Sequence, residues 1–119
     1  MTLKELYESV GGDYEDISSR FGNDEMIEMF VDMFAKEPSF GLLKEAMGRD
    51  DMADAFTQAH TLKGVSANIA FTRLKDLASE LTELLRNGKD TEGAKALFPQ
   101  VQACYEETIQ AINTYKERK

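Results

Sequence analysis

A chain of 119 residues that is 42% hydrophobic and 30% charged has room for about one domain with one core, which excludes separate cofactor and substrate domains. The formal net charge of -8 opposes binding to a phosphate backbone, so nucleic acid is not an expected partner. No apolar run approaches the roughly 18 residues of a membrane span, so a membrane protein is not expected either. The single Cys104 and the charged first residues favour a reducing cytoplasm.

The N-terminal third of the sequence predicts three helices separated by glycines. Thr2 and Glu5 have the spacing of a capping box, and the helix they start should stop at the glycine pair 11–12. A brief second helix is predicted over residues 13–21. The third should follow the N-cap residue Asn23 and run to about Lys36.

The remaining sequence predicts longer amphipathic helices with short connections. Pro38 fits the first turn of a helix that ends at Gly48, and Asp50 or Asp51 can cap the next one. Further boundaries are a turn near residues 70–72, a stop at Asn87-Gly88, and a last helix from Thr91 to about Lys116 with a kink or a new turn at Pro99. No strand pattern appears. The predicted fold is all-α: an up-down antiparallel four-helix bundle with extra short N-terminal helices over one end or side, formed by residues 1–119 as a single domain.

The only histidine, His60, follows Ala59 of the apolar stripe by about 100° of rotation, so it should meet solvent beside the buried face. Lys63, Gly64 and Ala67 stand three, four and seven residues further on, the spacing that places them on the same side of the helix. Glycine inside a helix costs about 1 kcal/mol relative to alanine. One explanation for Gly64 is clearance, which leaves room for a bulky group or another protein to reach the ring.

The facing helix can be located by counting from the turn near residue 71. Residues about ten positions before and after the turn share a level, so His60 should face Thr82, a candidate hydrogen-bonding neighbour. Arg86, one turn beyond, should extend toward the same place. A nucleophilic ring between Lys63 and Arg86 suits a phosphoryl group, whose negative charge both cations would stabilise.

The stretch AHTLKG at 59–64, followed by Ser66, resembles the signature of histidine-containing phosphotransfer (HPt) domains, and the whole chain is similar to them in length and helix order. The resemblance implies that His60 is the phosphoacceptor, Lys63 the charge-stabilising lysine and Gly64 the source of clearance. It places Thr82 and Arg86 where the family often has polar groups near the ring. One position departs from the family: Ala70 stands ten residues after the histidine, where glycine is usual.

The same resemblance implies a phosphorelay. A receiver-domain aspartyl phosphate would be attacked by His60, and the group would pass to another receiver; a hybrid histidine kinase is a further candidate partner. Without a glycine-rich nucleotide loop the chain should be a carrier that lacks its own kinase activity and needs no cofactor, since the divalent metal belongs in the receiver's acidic pocket. The docking surface is expected around Thr57, Gly64 and Ala67. We also expect a monomer and, from the start at Met1, a free-standing protein.

Two other classes remain open from the sequence. One is a non-catalytic helical adaptor that docks a response regulator or another signalling partner. The other is a bundle enzyme, which would need inward-facing ligands such as paired Glu-x-x-His motifs, whereas this chain has one histidine. The single residues have ordinary structural interpretations too: Lys63 and Arg86 as solvated charges, Thr82 as a helix-edge residue, and Gly64 as a close contact between helices.

Overall fold

The computed structural model describes residues 1–118, which contain helices and connections but no strand, so the predicted all-α bundle is confirmed; Lys119, the last residue of the predicted domain, lies outside the described residues. In chain order the helices are α1 (Leu3–Ser9), α2 (Tyr14–Phe21), α3 (Asp24–Lys36), α4 (Ser39–Gly48), α5 (Met52–Asn68), α6 (Thr72–Leu85) and α7 (Thr91–Glu117). A short 3-10 helix (Arg86–Gly88) joins α6 to α7.

Side-chain caps set most helix starts where the sequence predicts them. Thr2 and Glu5 form the complete capping box of α1, Asn23 caps α3, and Asp51 caps α5. One local prediction needs correction: Pro38 is the residue before α4 and does not lie in its first turn. For Pro99 the predicted alternatives were a kink or a new turn, and α7 continues through this residue as one helix.

The helices from α4 onward pack in chain order, α4 on α5, α5 on α6 and α6 on α7, which gives the up-down arrangement. The hairpin of α5 and α6 makes the most extensive of these contacts. One continuous core lies between the helices, and its largest fully buried side chains are Tyr7, Phe71, Leu6, Ile17, Ile27, Leu43, Leu62, Leu74, Leu81, Leu85, Ile112 and Val31.

The loop between α1 and α2 covers the turn that joins α5 to α6. The hydroxyl of Tyr7 donates to the carbonyl of Ile69 at 2.9 Å, and the backbone N–H of Asp13 donates to the carbonyl of Ala70 at 2.9 Å. Both carbonyls are buried and would be costly to leave without partners. The N-terminal helices therefore close the end of the bundle at which α5 turns into α6.

Ala70 adopts the left-handed backbone conformation, with φ 58°. For a residue with a side chain this region costs about 1–2 kcal/mol, which explains why glycine is the usual solution at such a turn. Here the hydrogen bond from Asp13 fixes the Ala70 carbonyl, and the residue is buried beneath the loop. The tight hairpin therefore forms without glycine, because tertiary contacts offset the local strain.

Gly12 gives a test of this contact. A Cβ at Gly12 would stand 2.8 Å from Cδ2 of Tyr7 and 3.0 Å from the carbonyl oxygen of Ala70, and the Tyr7 ring is fully buried. We expect Gly12→Ala to lower the free energy of unfolding by about 1–3 kcal/mol, measured by urea denaturation.

The control is Gly41→Ala, since a Cβ at this exposed position of α4 meets open space. That change should raise the free energy of unfolding by about 0.5–1 kcal/mol through helix propensity. A Gly12→Ala protein as stable as the native one would contradict the close approach of the loop to the turn.

Candidate functional site

His60 stands on the exposed face of α5, as the sequence predicts. Ala55, Ala59 and Leu62 turn into the core, and the imidazole, one position after Ala59, faces solvent. Its nearest aromatic neighbour is Phe56, one helical turn earlier, with the ring centroids 6.2 Å apart and the planes inclined by 17°. The imidazole thus has the Phe56 ring on one side and is accessible to solvent on the other.

The surface around the ring is open. Nothing lies within 4 Å of the position that a Cβ would take at Gly64, and Ala67, one turn further, is exposed. Thr57 is also exposed, and its hydroxyl donates to the carbonyl of Ala53 at 3.3 Å. Interpreting Gly64 as a close contact between helices is therefore wrong, whereas clearance next to His60 agrees with the structure.

Lys63 and Arg86 both lie close to an acidic residue of α6 that the sequence analysis did not single out, Glu83. Nε of Arg86 donates a hydrogen bond to Oε2 of Glu83 at 2.9 Å, and Nη2 forms an ion pair with the same oxygen at 2.9 Å. This hydrogen bond and the charges of Arg86, Lys63 and Lys89 hold the pKa of the Glu83 carboxyl below its usual value. Glu83 and Arg86 thus form an exposed ion pair at the end of α6.

Arg86 and His60 both neighbour the aromatic ring of Phe56. The guanidinium carbon of Arg86 lies 5.0 Å from the centroid of Phe56, the ring that neighbours His60. The side chain is about half exposed, at 48%. The sequence predicts that Arg86 extends toward His60, and this placement agrees with the prediction. The hydrogen bond of Arg86, however, is made to Glu83.

Thr82 differs from the prediction. It is fully buried, and its hydroxyl donates to the carbonyl of Ala78 at 2.6 Å within α6. Among residues 1–118 no hydrogen bond joins it to His60. Counting from the turn gave the level of Thr82 along the helix, but α6 is rotated so that Thr82 points inward and the next residue, Glu83, faces the cations.

An apolar groove begins beside Ala67 and runs between α2, α3 and the end of α5. It encloses about 440 Å³; Phe21 and Phe30, stacked with centroids 4.6 Å apart, form part of its wall together with Val65 of α5. Arg20 stands at its edge and donates to the carbonyl of Ala67 at 3.4 Å. Met33 of α3 lines the groove and is exposed, as are two further methionines of the same helix, Met26 and Met29.

Comparison with known proteins agrees with the fold. A family model described as the Hpt domain matches residues 25–113, about three quarters of the chain, and the match includes α5 and His60. The chain belongs to the Hpt domain family, which links it to histidine phosphotransfer in two-component signalling and to receiver domains. Neither a curated protein nor a solved structure gives a significant match. Within residues 1–118, no helix has the length and apolar character needed to cross a membrane.

Proposed function

We propose that this protein is a phosphoryl carrier in a two-component phosphorelay, with His60 accepting the group from a receiver-domain aspartate and passing it to another receiver. The observation that carries the proposal is that the only histidine of the chain is exposed on an open face of α5, inside the range that matches the family. Transfer of a phosphoryl group between two proteins requires a phosphoacceptor that the second protein can approach.

The chemistry is a displacement at phosphorus. The lone pair of the neutral Nε2 forms the N–P bond while the P–O bond to the receiver's aspartate breaks, so the aspartate leaves as a carboxylate. The ring's other nitrogen gives up its proton to solvent, and a phosphoimidazole remains. The reverse displacement by a second aspartate passes the group on. The divalent metal that assists this transfer belongs to the receiver's acidic pocket, and the carrier itself uses no cofactor.

Lys63 and Arg86 are the groups that would stabilise the added charge. A phosphoryl group on His60 carries close to two negative charges, and ammonium and guanidinium donors are its best partners. Lys63 is one turn from His60 on the same helix, and Arg86 approaches across Phe56. Thr82 has no part in this proposal, since its hydroxyl is buried and bonded within α6.

The receiver would dock on the face that Thr57, Gly64 and Ala67 leave open. The apolar groove next to Ala67 continues this surface, and the exposed methionines of α3 provide adaptable apolar contacts. An apolar patch beside the phosphoacceptor would hold the receiver while its aspartate reaches the ring. We propose that the carrier acts as a monomer in the cytoplasm, where the buried Cys104 stays reduced.

The test is transfer of labelled phosphate from phosphorylated receiver domains to the native protein and to His60→Gln. The expected result is label on the native chain alone, lost in acid and kept in alkali, as for a phosphohistidine. If several receivers from the source organism give no label while they bind the native protein and His60→Gln equally, the protein is an adaptor and the proposal fails.

A further inference from the structure

Glu83 is an unexpected neighbour for a site that is to hold a phosphoryl group. Its carboxylate accepts a hydrogen bond from Nε of Arg86 and forms an ion pair with Nη2, and the hydrogen bond lowers the pKa of the carboxyl. A fixed negative charge here repels an incoming dianion and competes with it for the same donors. The pair is also placed where it matters, because the guanidinium of Arg86 lies over Phe56, the ring that neighbours His60.

The geometry allows Arg86 to exchange partners. The guanidinium carbon and the imidazole centre lie 5.0 Å and 6.2 Å from the same Phe56 centroid, so they are within about 11 Å of each other. Arg86 and Glu83 are 48% and 58% exposed, and exposed ion pairs of this kind are weak. A rotation of the long arginine side chain over the flat face of Phe56 would bring its donors toward the ring without any change of the helices.

We propose that Glu83 is the counter-ion of Arg86 in the unphosphorylated protein, and that a phosphoryl group on His60 takes this cation from it. This inference rests on the proposed role of His60. The phosphoryl group is the stronger partner because it carries about two negative charges and three acceptor oxygens, whereas the Glu83 carboxylate carries one charge and two oxygens. Glu83 is then left ionised beside the phosphohistidine, where its repulsion weakens the N–P linkage and favours release of the group to the next receiver. Glu83 is a positioning residue for Arg86 and does not touch the reacting atoms.

The experiment uses phosphoramidate as a small chemical donor, so that no partner protein is needed. The P–N bond of phosphoramidate breaks as the Nε2–P bond forms, and the departing ammonia takes up the proton that the imidazole loses. We expect the phosphohistidine of Glu83→Gln to survive about twofold to fivefold longer than that of the native protein, the range that an exposed charge pair supports. The matched control is Glu80→Gln, which removes the same charge from an exposed position of α6 and should leave the half-life within error.

Two further measurements separate positioning from a general charge effect. In the Arg86→Ala background, Glu83→Gln should change the half-life by less than half as much, because the main group that Glu83 holds is gone. The Nε–Hε resonance of Arg86 should shift when the native protein is phosphorylated, and it should also differ between the unphosphorylated native protein and unphosphorylated Glu83→Gln, where the carboxylate partner is missing.

The outcomes are distinct. If the native protein takes up phosphoryl groups on His60 but Glu83→Gln and Glu80→Gln have equal half-lives, this inference is overturned and the proposed function stands. Equal effects of Glu83→Gln with and without Arg86 would also overturn it. If neither phosphoramidate nor a phosphorylated receiver domain modifies His60 of the native protein, both the inference and the proposed function fail.

Discussion

Gly64→Gln is expected to slow phosphoryl transfer from a receiver domain by about 100-fold without loss of stability. A side chain at this position points into open space on the face that carries His60. It would therefore not disturb the bundle, and glutamine at an interior helix position is favoured over glycine by roughly 0.5 kcal/mol or more. It would, however, stand between the two proteins. A displacement of about 1 Å from the geometry of attack is enough to cost two orders of magnitude in rate.

The comparison of two phosphoryl donors shows whether the glycine serves docking or the ring itself. Phosphoramidate is small and needs no docking, so Gly64→Gln should be modified by it within about threefold of the native rate, whereas transfer from the receiver falls by about 100-fold. Ala103→Gln is the control: it places the same side chain at an exposed position of α7, a helix that packs on α6 and α1. It should leave both rates unchanged.

Equal losses with both donors would contradict the clearance argument, because they would mean that Gly64 affects the nucleophile and not the approach of a partner. A large loss of stability would contradict it as well. The stability measurement therefore accompanies the kinetics, with urea denaturation of all three proteins under the same conditions.

The helix boundaries could be predicted because their signals are local. Caps such as Thr2, Asn23 and Asp51 satisfy N–H groups of their own first turn, so nearby residues suffice to identify them. The side of α5 that carries His60 followed from the same kind of evidence, since a 100° step from buried Ala59 defines an exposed face.

The facing wall of the site could be predicted only in part. The count of residues from the turn gives the level along α6 but not the rotation of that helix about its axis, which the packing of the whole core decides. This is why Thr82 was expected at the ring and Glu83 was missed, although the two are consecutive in the sequence. An inspection of charges one position to either side of the counted level would have found Glu83 as a partner of Arg86, three residues later.

The contacts between the α1–α2 loop and the α5–α6 turn could not be predicted from the sequence, because they join distant parts of the chain. The turn near residues 70–72 was expected as an ordinary connection, yet Ile69, Ala70 and Phe71 are all buried beneath the α1–α2 loop. The bond from Tyr7 to Ile69 spans 62 positions. No local sequence pattern indicates such a contact. The sequence therefore does not show that tertiary contacts stabilise the left-handed backbone of Ala70, where glycine is usual.

Phe71→Ala should lower the free energy of unfolding by about 3–5 kcal/mol, a large share of the roughly 5–15 kcal/mol that stabilises a typical domain. Phe71 is fully buried, and its ring lies 5.1 Å from that of Tyr7 and 5.0 Å from that of Phe34. It is also the residue that precedes α6. Its removal would leave a cavity at the point where the N-terminal helices meet the hairpin that positions His60.

Phe98→Ala provides the comparison, since the same atoms are removed from a partly buried ring that stacks on Phe40 at 6.0 Å. It should cost less than half as much, because less apolar area leaves the core. Below the unfolding transition, Phe71→Ala should still take a phosphoryl group from phosphoramidate in proportion to its folded fraction, since His60 lies about three helical turns from the cavity along α5. A loss of less than about 1 kcal/mol would mean that the turn is not held by this aromatic cluster, and the hydrogen bonds of Tyr7 and Asp13 alone would have to explain the left-handed Ala70.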